Sequence, residues 1–212
     1  AMDKETGKVI KDADGKAVTS EAEITPETAD GKVDVDFIFD GSNLAGKTIV
    51  MFEEIRYENR LVGVHADIND EAQTIYVPAI ATEALDEVTG IHLSNAGDDV
   101  KVKDTVTYKN LIPGLTYRVA GTVMDKDSKK PLQNDGTAEA VFTPETADGT
   151  VDVEFTFSAK EFAGKTMVLF EKLYLVKNAD NADANPDNTS NKVEVDNENN
   201  NPADNSEVKE VL

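Results

Sequence analysis

Residues 65–75 read HADINDEAQTI and carry the spacing in this chain that most invites a chemical reading. His65, one of two histidines, stands two and five residues ahead of Asp67 and Asp70, and a lone glutamine, Gln73, opens the apolar run TIYV. The plain reading is a turn leading into a strand, since Asp and Asn favour turns and glutamine is an inert polar strand residue. The chemical reading makes the Gln73 side chain an electrophile. A primary amide reacts only when its oxygen is polarised and its departing nitrogen is protonated, so it needs acid groups nearby.

Such groups must be held by a fold, and the composition limits which one. The 212 residues suffice for one large domain or two of about 100 residues. Forty-two acidic against 21 basic residues give a formal charge of −21, which argues against binding nucleic acid. Cysteine is absent, removing disulfides, thiolate catalysis and thiolate metal sites together. No stretch approaches 18 apolar residues, so no membrane span is expected, and no secretory signal or sorting signal is visible.

The chain repeats itself. ITPETADGKVDVDFIFDGSNLAGKTIVMFEEIRY (24–57) matches FTPETADGTVDVEFTFSAKEFAGKTMVLFEKLYL (142–175) at an offset of 118, and MDKETGK (2–8) matches MDKDSKK (124–130) at 122. A period near 120 fits tandem whole domains rather than a solenoid. KVDVDFIF and TVDVEFTF alternate polar with apolar, which predicts strands with Val33, Val35, Phe37 and Phe39 on one face. KTIVMFEEI and KTMVLFEKL read as buried strands, and residues 104–125 as two strands forming a hairpin around a Pro113-Gly114 turn. No helical period stands out. The expected class is all-β, as tandem Ig-like β-sandwiches over 1–78 and 79–176, followed by an acidic Asn/Asp-rich tail or linker over 177–212. The first copy lacks opening strands, and the second lacks a recognisable closing strand with His and Gln.

Seven motifs then fall into an order: IATEA (80–84), DTVTY (104–108), NLIPGLTY (110–117), MDK (124–126), GTVDVEF (149–155), VLFE (168–171) and HADINDEAQT (65–74). Together they resemble the repeat domains of Gram-positive surface proteins and adhesins that form an intramolecular Thr–Gln ester crosslink (VaFE-type repeats). The resemblance covers roughly residues 1 to 176. It implies that Thr82 is the nucleophile and Gln73 the acceptor, with Asp104, Glu53, Glu171 and His65 assisting proton transfer. A threonine hydroxyl is a weak nucleophile until a base takes its proton, and carboxyls buried beside apolar strands have the raised pKa values that let one donate while another accepts. By chain-entropy logic, a crosslink joining the first and last strands of such a domain closes a ring of more than about 100 residues and stabilises by about 4–5 kcal/mol.

Each residue also has a bland reading. Thr82 is β-branched and belongs in strands, Thr105 and Thr107 are rival nucleophiles, and Glu53 and Glu171 could face solvent. DADGKAVTSEAE (12–23) is a poor match to a calcium loop, lacking the fifth-position ligand and the sixth-position glycine. NTS (188–190) is a glycosylation sequon by pattern only.

The motifs are distributed unevenly. Gln73, His65 and Glu53 fall in the first copy, whereas Thr82, Asp104 and Glu171 fall in the second. The bond either does not form, joins chains head to tail, or closes through a wide loop within one chain. The expected function is a structural stalk segment of a bacterial cell-surface adhesin, stabilised by autocatalytic ester crosslinking, without cofactor or metal and not a turnover enzyme. Its location is expected to be extracellular, anchored to the cell wall through parts outside this chain, with a host-surface ligand engaged by other domains of the parent protein. The alternative is a carbohydrate- or protein-binding β-sandwich without crosslink. Acids abound for a glycosidase, but no spacing singles out a pair.

Overall fold

The computed structural model describes residues 1–132 and 136–176 in full, together with the backbone of strands Glu194–Asp196, Ser206–Val208 and Glu210–Val211. The chain divides into two compact units, Ala1–Val77 and Pro78–Leu212, and regular structure in the described residues is β throughout apart from two 3₁₀ turns. The NTS sequon and most of the acidic tail lie outside the described residues.

The first unit is built from β1 (Met2–Asp3), β2 (Thr48–Val50), β3 (Glu53–Tyr57), β4 (Arg60–His65) and β5 (Thr74–Tyr76). β2 pairs with β1 on one side and β5 on the other, and β3 and β4 form an antiparallel hairpin. Its core is small: Ile10, Val18, Leu44, Ile49 and Met51, with Phe37 and Phe39 packed partly against it.

The second unit has two antiparallel sheets. One runs β6 (Ala79–Asp86), β8 (Val100–Lys109), β12 (Gly149–Phe157), with β8 central. The other centres on β9 (Thr116–Asp125) and β13 (Met167–Val176), flanked by β10 (Lys130–Pro131) and β11 (Thr137–Phe142). β7 (Leu93–Ser94) lies between β6 and β8 in sequence. Strict alternation aims Val100, Val102, Val106 and Tyr108 inward from β8, and Tyr117, Val119 and Val123 inward from β9. Phe155 of β12 crosses the interior to β9. A Cβ on Gly121 would stand 2.4 Å from its ring, so glycine is the residue that lets the two sheets meet there.

The expected hairpin over 104–125 is corrected. Both strands form, and Gly114 turns with φ +82, but β8 and β9 lie in opposite sheets. β8 already has β6 and β12 on its two edges, so the chain must cross over after Pro113-Gly114. A second correction concerns 33–39, which forms no strand although its match, β12, does. β12 takes its hydrogen bonds from β8, and nothing in Ala1–Val77 corresponds to β8. An alternating pattern without a partner leaves backbone groups to water.

The MDK turn is the same device in both units. Asp3 Oδ1 accepts from the N–H groups of Glu5 and Thr6 at 3.0 and 2.9 Å, and Lys47 reaches Oδ2 at 2.8 Å. Asp125 Oδ1 accepts from Asp127 and Ser128 at 3.0 and 2.9 Å, and Lys165 stands 3.2 Å from Oδ2. These donors hold both carboxyls below their ordinary pKa.

Three further strands follow β13: β14 (Glu194–Asp196), β15 (Ser206–Val208) and β16 (Glu210–Val211). β14 and β15 add to the β13 edge, and β16 pairs parallel with β7. The second unit therefore has backbone in the closing-strand position, where the sequence offered no His/Gln motif. Val50↔Thr74 in the first unit matches Val168↔Glu207 in the second, so Ser206 stands at the register of Gln73.

The two copies differ most in what they cover. Ile55 is 57% exposed, while its match Leu173 is 1% exposed under the β6–β8–β12 sheet. Leu173→Ala is expected to cost about 2–5 kcal/mol and Ile55→Ala less than about 0.5 kcal/mol, read from the two variants' denaturant midpoints.

Candidate functional site

Thr82, Asp104 and Glu171 come together inside the second unit. Thr82 sits on the half-buried face of β6 among Ile80 and Ala84, and Asp104 on the inward face of β8 opposite Ala84. Glu171 points inward from β13 between Leu169 and Leu173. Asp104 is fully buried and Glu171 only 1% exposed. The strand period alone explains this: each acid occupies a position whose neighbours at ±2 are core residues, so neither can turn to solvent without inverting its strand.

Two buried carboxyls side by side cannot both ionise. Burial pushes the Glu171 carboxyl well above its ordinary 4.5, hydrogen bonding and charge from Asp104 push the same way, and the Thr82 hydroxyl pulls against them. As carboxylates neither acid could donate to the other, so a retained proton is what makes the pair tolerable. Glu171 thus stays protonated into the pH range where an exposed glutamate is a carboxylate. The site holds a hydroxyl, a proton donor and a proton acceptor in a dry interior, which is the inventory for acyl transfer from an amide.

The pH consequence has a definite sign. A carboxyl whose folded pKa is raised adds no penalty below its unfolded value of 4.5, and costs stability as pH climbs through its folded value. The melting temperature of the second unit is therefore expected to fall from about pH 5 upward, and Glu171→Gln to remove most of that slope. A parallel pH profile for both proteins would contradict it.

The first unit holds the other residues. Glu53 and His65 are register partners across the β3–β4 hairpin, with His65 Nδ1 3.6 Å from Glu53 Oε2. His65 Nε2 is 3.0 Å from Asp70 Oδ2. The role of Asp70 was not assigned from sequence, although its five-residue spacing from His65 was visible. It caps the 3₁₀ turn Glu71–Gln73: Oδ1 accepts from Ala72 N–H at 2.8 Å, and its carbonyl accepts from Gln73 N–H at 3.2 Å and Thr74 Oγ1 at 2.7 Å. One aspartate thus orients the histidine and fixes the turn that delivers Gln73. The Gln73 carbonyl then accepts from Met51 N–H at 2.9 Å, tying it to the strand edge beside Glu53. Glu53 and His65 are partly exposed, unlike Glu171.

Residues 12–16 close as a turn, with Asp12 Oδ1 accepting from Lys16 N–H at 2.9 Å. Among the described residues no group of three or more His, Asp or Glu side chains is placed to hold a metal. No helix of the described residues is long and apolar enough to cross a membrane.

Two buried acids beside a half-buried threonine in one unit, and a histidine held by Asp70 at the turn that carries a glutamine in the other, sit on an all-β, sandwich-type framework. The chain matches the family described as T-Q ester bond containing domain twice, over residues 1–77 and 78–205, and belongs to it. Among solved structures, two crystal forms of a bacterial adhesin from Mobiluncus mulieris containing intramolecular disulfide, isopeptide and ester bond cross-links are similar to it. Identity is 15% and 16%, the TM-scores are 0.41 and 0.42, and 64% of this chain aligns with 58% and 57% of that one. The chain thus spans less than two thirds of the adhesin's length. No curated protein matches.

Proposed function

We propose that the chain is a structural stalk segment of a bacterial surface adhesin, stiffened by an ester that it forms on itself. The observation that carries this is the buried Thr82–Asp104–Glu171 cluster, in which one of two adjacent acids retains its proton. Thr82 Oγ attacks the side-chain carbonyl carbon of Gln73. Its proton passes to a carboxylate of the acid pair, the carbon–nitrogen bond breaks, and the amide nitrogen leaves as ammonia after taking a proton. His65, held between Glu53 and Asp70, polarises the incoming amide. The chemistry occurs once and consumes its own side chains, so the chain is not a turnover enzyme. The residues act from an extracellular, wall-attached protein whose ligand-binding parts lie elsewhere.

Intact mass of the purified, concentrated chain tests this. The expected result is a species lighter by one ammonia for each bond, as a monomer when the bond closes within a chain or as a denaturant-resistant multimer when it joins chains. Thr82→Ala and Gln73→Ala each abolish it. Unshifted monomer alone in all three proteins sinks the reading.

A further inference from the structure

Both units interrupt one edge strand at the same place. β4 joins β3 with His65 opposite Glu53, and a continuous antiparallel strand would then bring residue 68 opposite Val50. Thr74 stands there instead, because the turn that carries Gln73 is inserted between β4 and β5. In the second unit β14 joins β13 with Asp196 opposite Lys172, which would bring residue 199 opposite Leu169, yet Ser206 stands there. β14–β15 is thus the second unit's counterpart of β4–β5, on the edge of β13 away from β9.

The interruption falls at the acid cluster. β14 pairs with Lys172–Tyr174 and β15 with Met167–Leu169, and among the described residues Phe170 and Glu171 pair only with β9. A sheet edge takes one strand at a time, because each residue of an antiparallel strand turns its N–H and C=O to one side only. β15 and a strand carrying Gln73 therefore exclude each other at Met167–Leu169. They are unequal competitors. β14 and β15 hold β13 through ladders of three positions each, whereas Arg60–Tyr76 holds its own unit through ladders of five and three. β4 also brings Leu61, Val62 and Val64 against the single Val195 of β14, and β-branched valines suit a pleated edge.

We propose that β14–β15 is a displaceable placeholder, and that the β13 edge it occupies is the docking site for the Arg60–Tyr76 segment of a second copy of this chain. Docking is non-covalent. The placeholder's backbone hydrogen bonds are exchanged for those of the incoming segment, which sets Gln73 at the register held by Ser206. Access of Gln73 to Thr82 through this edge rests on the function proposed above, whereas the exchange rests on the matched registers. The tail then governs how fast chains can join.

Every protein in the test is full-length and carries Gln73→Ala, so that no chain offers an acceptor of its own. The probe is a synthetic peptide of residues 58–77, in native form and as Gln73→Ala. The parent chain is compared with Val195→Pro, Glu207→Pro, which puts a ring at the centre of each ladder, and with Val195→Gly, Glu207→Gly, which weakens both ladders without a ring. Circular dichroism is the folding control, and the glycine variant carries the comparison if the proline variant unfolds. The Gln73→Ala peptide is expected to bind the proline variant about tenfold more tightly than the parent chain, with the glycine variant between them, because the edge is open in a larger fraction of molecules. Bound peptide is expected to slow hydrogen exchange within Met167–Tyr174. Equal binding to all three proteins, or binding to none, overturns the placeholder. Tighter binding to the variants with no ammonia lost from the native peptide supports the placeholder and overturns the ester chemistry. An adduct of native peptide, one ammonia lighter, that forms equally fast on all three overturns the placeholder and leaves the ester chemistry standing.

Discussion

Glu171→Gln is expected to slow ester formation by Thr82 by about 10²–10⁴-fold, the range a positioned acid or base contributes, with little change in fold. Glutamine has nearly the shape of glutamic acid and can donate a hydrogen bond to Asp104, so the packing around Leu169 and Leu173 survives. What it cannot do is exchange a proton. Asp104→Asn should be as damaging, because the two acids work as one unit and removing either leaves no relay. Ammonia release followed over time, with circular dichroism as the folding control, measures both. Wild-type rates in either variant would mean that the buried pair is an architectural feature and that another group moves the proton.

Phe155→Ala carries the largest expected loss of stability, about 3–5 kcal/mol. The ring fills the space between the two sheets of the second unit and rests on the bare backbone of Gly121, with Val102 as its register partner. Its removal opens a cavity two residues from Val153, the strand neighbour of Asp104, so the cluster loosens together with the core. Gly121→Ala attacks the same contact from the other side. A Cβ placed 2.4 Å from a packed ring forces the ring or strand to shift, and overpacking of this kind costs about 1–3 kcal/mol. Chemical denaturation of each variant reads the effect. In the double variant Phe155→Ala, Gly121→Ala the added methyl enters the vacated space, so the two losses are expected not to add.

Much of this was readable in the residues because strand periodicity speaks directly about faces. VKVKDTVTYK places Asp104 in line with valines, and the VLFEKL run places Glu171 in line with leucines, so the strand period agrees with the burial of both acids, although the residues alone left Glu171 open to solvent. Periodicity says nothing about edges. KVDVDFIF and TVDVEFTF carry the same alternation, yet one pairs with β8 and the other has no such neighbour in its unit. For the same reason the Pro113-Gly114 turn was visible, but its crossing from one sheet to the other was not. The polar tail hid backbone pairing with β13, because ladder hydrogen bonds need no particular side chain. Asp70 went unassigned because its role depends on a 3₁₀ turn that only folding supplies.

If Thr82 and Gln73 are the two ends of an ester, peptide mapping of the concentrated chain reads the bond itself. After proteolysis, the expected product is a branched peptide joining the Thr82 and Gln73 segments, lighter by one ammonia than their sum and cleaved by hydroxylamine. Recovery of both segments free and at full mass would contradict it.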